Sequence, residues 1–195
     1  MSERIKIGII IGSIRPNRFA EKATNFISEI AKKNQDIDTE ILDLKEIKLP
    51  EFDSAVSPGY VQDGNYGKPE YNSWAQKIAS FDAFIFVAPE YNRGYSSTLK
   101  NAIDCIYSEW NNKAVGFVSY GSVGGGRVVE QLRLVAVELQ MAPIRNAVHI
   151  MSPWNLVDES GNLKDGALND YIHAGENMLN QLIWWAKALK NARNS

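Results

Sequence analysis

Short apolar runs alternate along the chain with longer stretches of helical periodicity. The first run, Ile5-Lys6-Ile7-Gly8-Ile9-Ile10-Ile11, is nearly continuous in apolar residues, as a central strand buried on both faces requires. From about Arg18 to Lys33 the apolar positions Ala20, Ala23, Phe26, Ile27 and Ile30 recur at spacings of three and four, which predicts a helix. Ile37 to Leu44 alternates as a second strand. Phe81 to Ala88, Lys113 to Ser119 and Ile144 to Ile150 supply the third, fourth and fifth. Further helices are predicted over Ser97 to Glu109, Gly126 to Gln140 and about Asp165 to Asn191. Strands separated by helical crossovers predict an α/β three-layer sandwich around a five-stranded parallel sheet, with ligands at the carboxyl ends of the strands. Lys45 to Tyr71 breaks the rhythm. It holds three prolines and three glycines, and a loop of that length is often functional.

Composition narrows the classes. The 195 residues suffice for one domain with a sizeable core, and neither linker composition nor an internal repeat divides them, so 1–195 is expected to be a single domain. A formal net charge of −2 gives no reason to expect nucleic acid or an anionic membrane as a partner. The lone Cys105 sits in an apolar run and reads as a small buried hydrophobe; His149 and His173 are far apart, so no metal site is expected. No stretch approaches the roughly 18 apolar residues of a membrane span, and no targeting segment is visible, which predicts a cytoplasmic protein.

The chemistry concentrates in three loops that follow the first, third and fourth strands. Gly12-Ser13-Ile14-Arg15-Pro16-Asn17-Arg18-Phe19-Ala20 offers a close backbone turn, a hydroxyl, two guanidinium groups and the start of a helix. Together these suit a dianionic phosphate, since helix N-termini present unpaired N–H groups and arginine donates in a planar fork. Pro89-Glu90-Tyr91-Asn92-Arg93-Gly94-Tyr95 supplies aromatics and an amide that can cover and hydrogen-bond a planar heterocycle. Ser119-Tyr120-Gly121-Ser122-Val123-Gly124-Gly125-Gly126 permits close backbone approach to a flat ligand. Converging at one rim, the three describe a mononucleotide with a large planar base.

Those motifs resemble the NADPH-dependent FMN reductase family of flavodoxin-like quinone, azo-dye and chromate reductases. The resemblance rests on Gly-Ser-Ile-Arg-Pro-x-Arg at 12–18, Pro-Glu-Tyr-Asn-x-Gly-Tyr at 89–95 and Gly-Gly-Gly-Arg at 124–127. It implies a flavodoxin-like strand order 2-1-3-4-5 and FMN as cofactor. The phosphate would lie on Ser13, Arg15, Asn17, Arg18, Phe19 and Ala20; many relatives carry serine where this chain has Arg18. The isoalloxazine ring would lie on Pro89, Glu90, Tyr91 and Asn92. Its pyrimidine side would face Ser119, Tyr120, Gly121, Ser122 and Gly124.

The resemblance further implies an enzyme in which NADPH passes hydride to FMN, and the flavin then reduces a small-molecule acceptor such as a quinone, azo dye, metal oxyanion or free flavin. The flavin carries the chemistry, so no catalytic side chain is expected. The alternatives are a flavodoxin-type electron carrier and a flavin-binding regulatory module. Arginines in the phosphate loop and the near-neutral charge favour the enzyme, with Arg15, Arg18, Arg93 and Arg127 expected near the rim. A homodimer or homotetramer is implied, with Trp110 and the stretch Tyr60 to Trp74 bordering a neighbour's site. Trp184 and Trp185 are expected to cover the sheet.

Overall fold

The computed structural model describes residues 4–195. Five parallel strands, β1 (Ile5–Ile11), β2 (Ile37–Asp43), β3 (Ala83–Pro89), β4 (Ala114–Gly121) and β5 (Ala142–Met151), form one sheet in the order β2-β1-β3-β4-β5. β3 is buried at every position, and β1 at every position except Lys6. Each therefore needs helices on both faces, and this explains their unbroken apolar runs.

One face carries α3 (Pro69–Ala79), α4 (Ser97–Asp104) and α5 (Gly126–Glu138); the other carries α1 (Ala20–Ala31) and α6 (Ile172–Arg193). Two apolar clusters result. Phe84, Phe86, Phe117, Trp74, Trp110 and Leu99 centre the first, and Ile7, Ile9, Ile27, Val118, Met178 and Leu182 the second. α1 and α6 meet closely at Gly175, where a Cβ would stand 2.6 Å from Ile30 Cδ1. A side chain there requires the end of Ile30 to move aside.

The stretch that looked irregular contains the missing crossover. Residues 45–71 hold a single helical turn, α2 (Leu44–Ile47), a 3₁₀ turn at Pro58–Tyr60 and the beginning of α3. A parallel connection from β2 to β3 needs such a helix. Its apolar stripe is Tyr71, Trp74, Ala75 and Ile78, and Pro69 opens its first turn, where a missing N–H costs no hydrogen bond. Reading the loop as far as Tyr71 hid that stripe.

Three aromatic expectations are corrected. Trp110 does not border a neighbour; it is fully buried, edge-on to Phe84, Phe86 and Trp74. In the Tyr60 to Trp74 stretch, Tyr66, Tyr71 and Trp74 are buried and only Tyr60 stands out in solvent. Trp184 and Trp185 do not cover the sheet. They lie on the outer side of α6 at 65% and 38% exposure, while Met178, Leu179, Leu182, Ile183 and Ala186 do the covering. Four successive large apolar residues, Leu182 to Trp185, span a whole helical turn, so they cannot all face inward. Cys105 is buried as expected, and burial pushes its thiol up to about 12.

Candidate functional site

At the carboxyl edge of the sheet the loop after β1 is strung between its neighbours. Gly12 donates its N–H to the Val87 carbonyl at 2.9 Å, and a Cβ at Gly12 would lie 2.9 Å from that same oxygen. The Gly12 carbonyl in turn accepts from Ser96 Oγ at 2.5 Å, while Ser96 caps α4 by accepting the Leu99 N–H. Only glycine permits this approach. Ser13 is buried directly beneath, its hydroxyl 2.9 Å from that of Tyr91.

Arg18 does not offer its charge to the cavity as the sequence suggested. Its side chain is 3% exposed and grips the chain itself. Nε donates to Glu21 Oε1 at 3.0 Å, Nη1 to Asp43 Oδ1 at 2.9 Å and to the Ser13 carbonyl, and Nη2 to Asp43 Oδ2. Burial opposes the charge, but hydrogen bonding and charge attraction to Asp43 and Glu21 outweigh it and raise its pKa. Arg18 is thus a strut that ties the loop to the end of β2. Arg15 instead lies over the Tyr91 ring, 5.7 Å from its centroid. Neither Arg15 nor Lys22, in the first turn of α1, has a carboxylate partner among the described residues.

The loop after β3 closes as a two-residue hairpin turn. Tyr91 and Gly94 exchange both backbone hydrogen bonds at 2.9 Å, and Asn92 and Arg93 hold φ of 50° and 69°. Two left-handed residues in succession make a type I′ turn, which asparagine tolerates well and arginine poorly. Glu90 faces inward and is satisfied by α5, its carboxylate accepting from Arg127 Nη1 at 2.7 Å and the Arg127 N–H at 3.2 Å. Arg127 is therefore already paired.

Under the loop after β4, Ser119 is fully buried. Its hydroxyl lies 2.7 Å from the Gly124 carbonyl and 2.9 Å from His149 Nδ1. This arrangement suits Ser119 donating to Gly124 and accepting from an Nδ1-protonated imidazole. Burial lowers the His149 pKa; the Gly124 carbonyl opposes the shift and Arg133 adds to it. Gly125 caps α5 with φ 75°, its Cβ position only 2.7 Å from Ser119 Cβ. Tyr120 packs on Phe19 with ring centroids 5.3 Å apart, and burial, chiefly, raises its pKa.

These loops enclose a cavity of about 350 Å³. Of the residues singled out in the sequence, Arg15, Asn17, Arg18, Phe19, Pro89, Glu90, Tyr91, Tyr120 and Gly121 line it. Six expected residues do not line it. Ser13, Ala20, Ser119 and Gly124 are buried behind the wall, while Asn92 and Ser122 stand exposed at turn tips. Six residues outside that set do: Pro16, Lys22, Pro153, Trp154, Val157 and Gly161. The last four belong to the segment after β5, where the Ser152 N–H donates to the Gly121 carbonyl at 2.8 Å and Val157 bridges Leu163. Trp154 is 59% exposed and makes no ring–ring contact among the described residues. Its position just past a strand end was the available signal.

The family model described as NADPH-dependent FMN reductase matches residues 5–155. An NAD(P)H-dependent FMN reductase of Schizosaccharomyces pombe is 38% identical over 145 residues, covering 73% of this chain and 72% of that protein. A quinone reductase of Pseudomonas putida is 30% identical over 175 residues, covering 85% and 88% respectively. Among solved structures, a flavoenzyme NAD(P)H:(acceptor) oxidoreductase from Paracoccus denitrificans superposes with a TM-score of 0.70 at 18% identity, over 94% of this chain and 98% of that one. At that identity the superposition speaks for the fold.

Proposed function

The chain belongs to the NADPH-dependent FMN reductase family, and from that premise we propose that it binds FMN at the carboxyl rim and uses NAD(P)H to reduce a small acceptor, a quinone or a free flavin among them. The observation that carries this reading is the pair Arg15 and Lys22. Two cations without carboxylate partners among the described residues line an aromatic-walled cavity at the start of α1, and they match the two charges of a phosphate monoester. The donor set fits FMN in a second respect, because Tyr91, Tyr120 and Trp154 give a planar ring apolar surface on several sides.

When bound, FMN supplies a ring that accepts a hydride and passes reducing equivalents on. The protein's own groups then bind and orient. Arg15, Lys22 and the uncapped first turn of α1 hold the phosphate, and Arg18 with Asp43 fixes the loop that presents them. The Tyr91, Gly94 and Gly124 N–H groups are spent on carbonyls within their own turns, so the backbone donors left for the carbonyl edge of the ring are those of Asn92, Arg93, Ser122, Val123 and Gly125. Ser119, Ser13 and Gly124 act one layer behind, holding those loops in shape.

The finer parts of the proposal are a homodimer or homotetramer in the cytoplasm. Light scattering at micromolar concentration checks the assembly, and a monomer would contradict it. The activity is checked by following NADPH oxidation with purified protein, added FMN and a quinone, with no partner reductase. Turnover is expected. FMN binding with no turnover would instead favour a carrier or a regulatory module.

A further inference from the structure

A second and larger cavity, about 750 Å³, is lined by Ile14, the chain neighbour of Arg15 in the first. Its outer wall is Leu49 to Phe52, in the stretch whose composition was suspicious. That wall is braced rather than loose. Asn101 on α4 accepts the Phe52 N–H at 2.8 Å and donates to the Pro50 carbonyl at 2.8 Å, while the Tyr71 hydroxyl donates to the Glu51 carbonyl at 2.7 Å. Such bracing, made by a core tyrosine and a helix asparagine, fixes the backbone of the wall.

The lining has two characters. Ile14 and Phe52 are 48% and 37% exposed and, with Leu49, give an apolar shelf. Lys45 and Lys48, at the two ends of the α2 turn, have no carboxylate partner among the described residues. Lys100 is cancelled by Asp104 at 2.5 Å, so Glu51 is the one unpaired acid opposing two unpaired lysines. The α2 turn itself is fixed by Asp43, whose carboxylate accepts the Lys45 N–H at 2.9 Å and also grips Arg18. One side chain therefore aligns the lysines with the phosphate loop.

We infer that this cavity takes the adenosine 2′-phosphate end of NADPH, with the base on the Ile14–Phe52 shelf and the 2′-phosphate at Lys45 and Lys48. The inference rests on the flavin-site reading above. A cavity of about 350 Å³ filled by a flavin has no room for a dinucleotide as well, so the adenylate half must lie outside it, and the cleft lined by Ile14 is the basic one next along the phosphate loop. An apolar shelf beside unpaired cations suits a purine nucleotide carrying a phosphate monoester.

The test uses FMN-loaded protein and two readouts. Calorimetric binding of 2′,5′-ADP, which needs no turnover, should weaken about tenfold in the Lys45→Gln/Lys48→Gln double variant, with 5′-AMP unaffected. In steady state the same variant should raise KM for NADPH about tenfold and leave KM for NADH alone. Glu51→Gln should act in the opposite direction, lowering KM for NADPH about twofold; opposite signs on one wall are a signature of charge that misfolding does not imitate. No binding of 2′,5′-ADP to the wild-type protein overturns the inference. So does an equal effect on NADPH and NADH, or an effect seen only as a changed sedimentation coefficient, which would make the cleft a subunit contact. If 2′,5′-ADP binds yet NADPH is never oxidised, the cleft stands and the proposed activity falls.

Discussion

The two ends of one sheet treat charge in opposite ways. At the amino end Asp82 is 12% exposed and closed on all sides: it accepts the Lys6 N–H at 2.9 Å, Lys190 Nζ at 2.9 Å and Arg193 Nη2 at 3.4 Å. Beside it Lys113 is buried, donating to the Ile78 and Ala79 carbonyls at 2.8 and 3.2 Å and so capping α3. At the carboxyl end Arg18 is closed in the same manner, but Arg15 and Lys22 are left open into a cavity. Paired charges pin helices to strands. Open charges wait for a ligand, and the contrast separates structural from binding residues of the same chemical type.

The largest expected effect is at the closed end. Asp82→Ala strands two cations and a backbone N–H, and should cost about 3 kcal/mol of stability by chemical denaturation while FMN affinity stays unchanged. An unaltered midpoint would mean that the network is ornamental. Arg18→Ala comes next. It strands Asp43 and frees the Ser13 carbonyl, so it should lower stability by about 2 kcal/mol and weaken FMN as well, and lysine, lacking the fork, should not rescue it. Weaker FMN binding with full stability would return Arg18 to the role the sequence suggested. Arg15→Ala with Lys22→Ala should reverse the pattern, with stability within about 0.5 kcal/mol and FMN affinity down at least tenfold by fluorescence titration.

The smallest effect concerns pH. Burial, chiefly, and the nearby Arg193 lower the Lys113 pKa to about 8, against the opposing pull of Asp82 and Glu109. A folded-state value below the unfolded one means that the unfolded chain binds the proton more tightly. Lys113's contribution is therefore greatest above its unfolded pKa and is lost as pH falls through about 8. Stability of the wild type relative to Lys113→Met should rise with pH between about 8 and 10. A flat or falling difference would show the ammonium to be better accommodated than its burial implies.

Legibility in the sequence followed how local each cause was. β1 and β3 were plain because burial on both faces leaves apolar residues at every position but Lys6. The loops at 12–20, 89–95 and 119–127 were found because glycines, turn formers and arginines cluster within a few positions. α3 was hidden by a proline at its start that looked like more loop. Whether an arginine is open or closed depends on a carboxylate far along the chain: Asp43 for Arg18, Glu90 for Arg127. Neither pairing leaves a mark on the residues nearby. Trp154 and Lys22 join the cavity only because the segment after β5 and the first turn of α1 meet across it, and no spacing encodes that meeting.

The central claim is that the open cations and aromatic walls of the carboxyl rim hold a flavin that NADPH can reduce. Its most direct test is the visible spectrum of FMN-loaded protein under anaerobic conditions before and after NADPH. The flavin absorbance should be retained through desalting, bleach on addition of NADPH and return when a quinone is supplied. A protein that loses all its FMN on desalting and shows no affinity for it, or a bound flavin left unbleached by NADPH, would contradict the account.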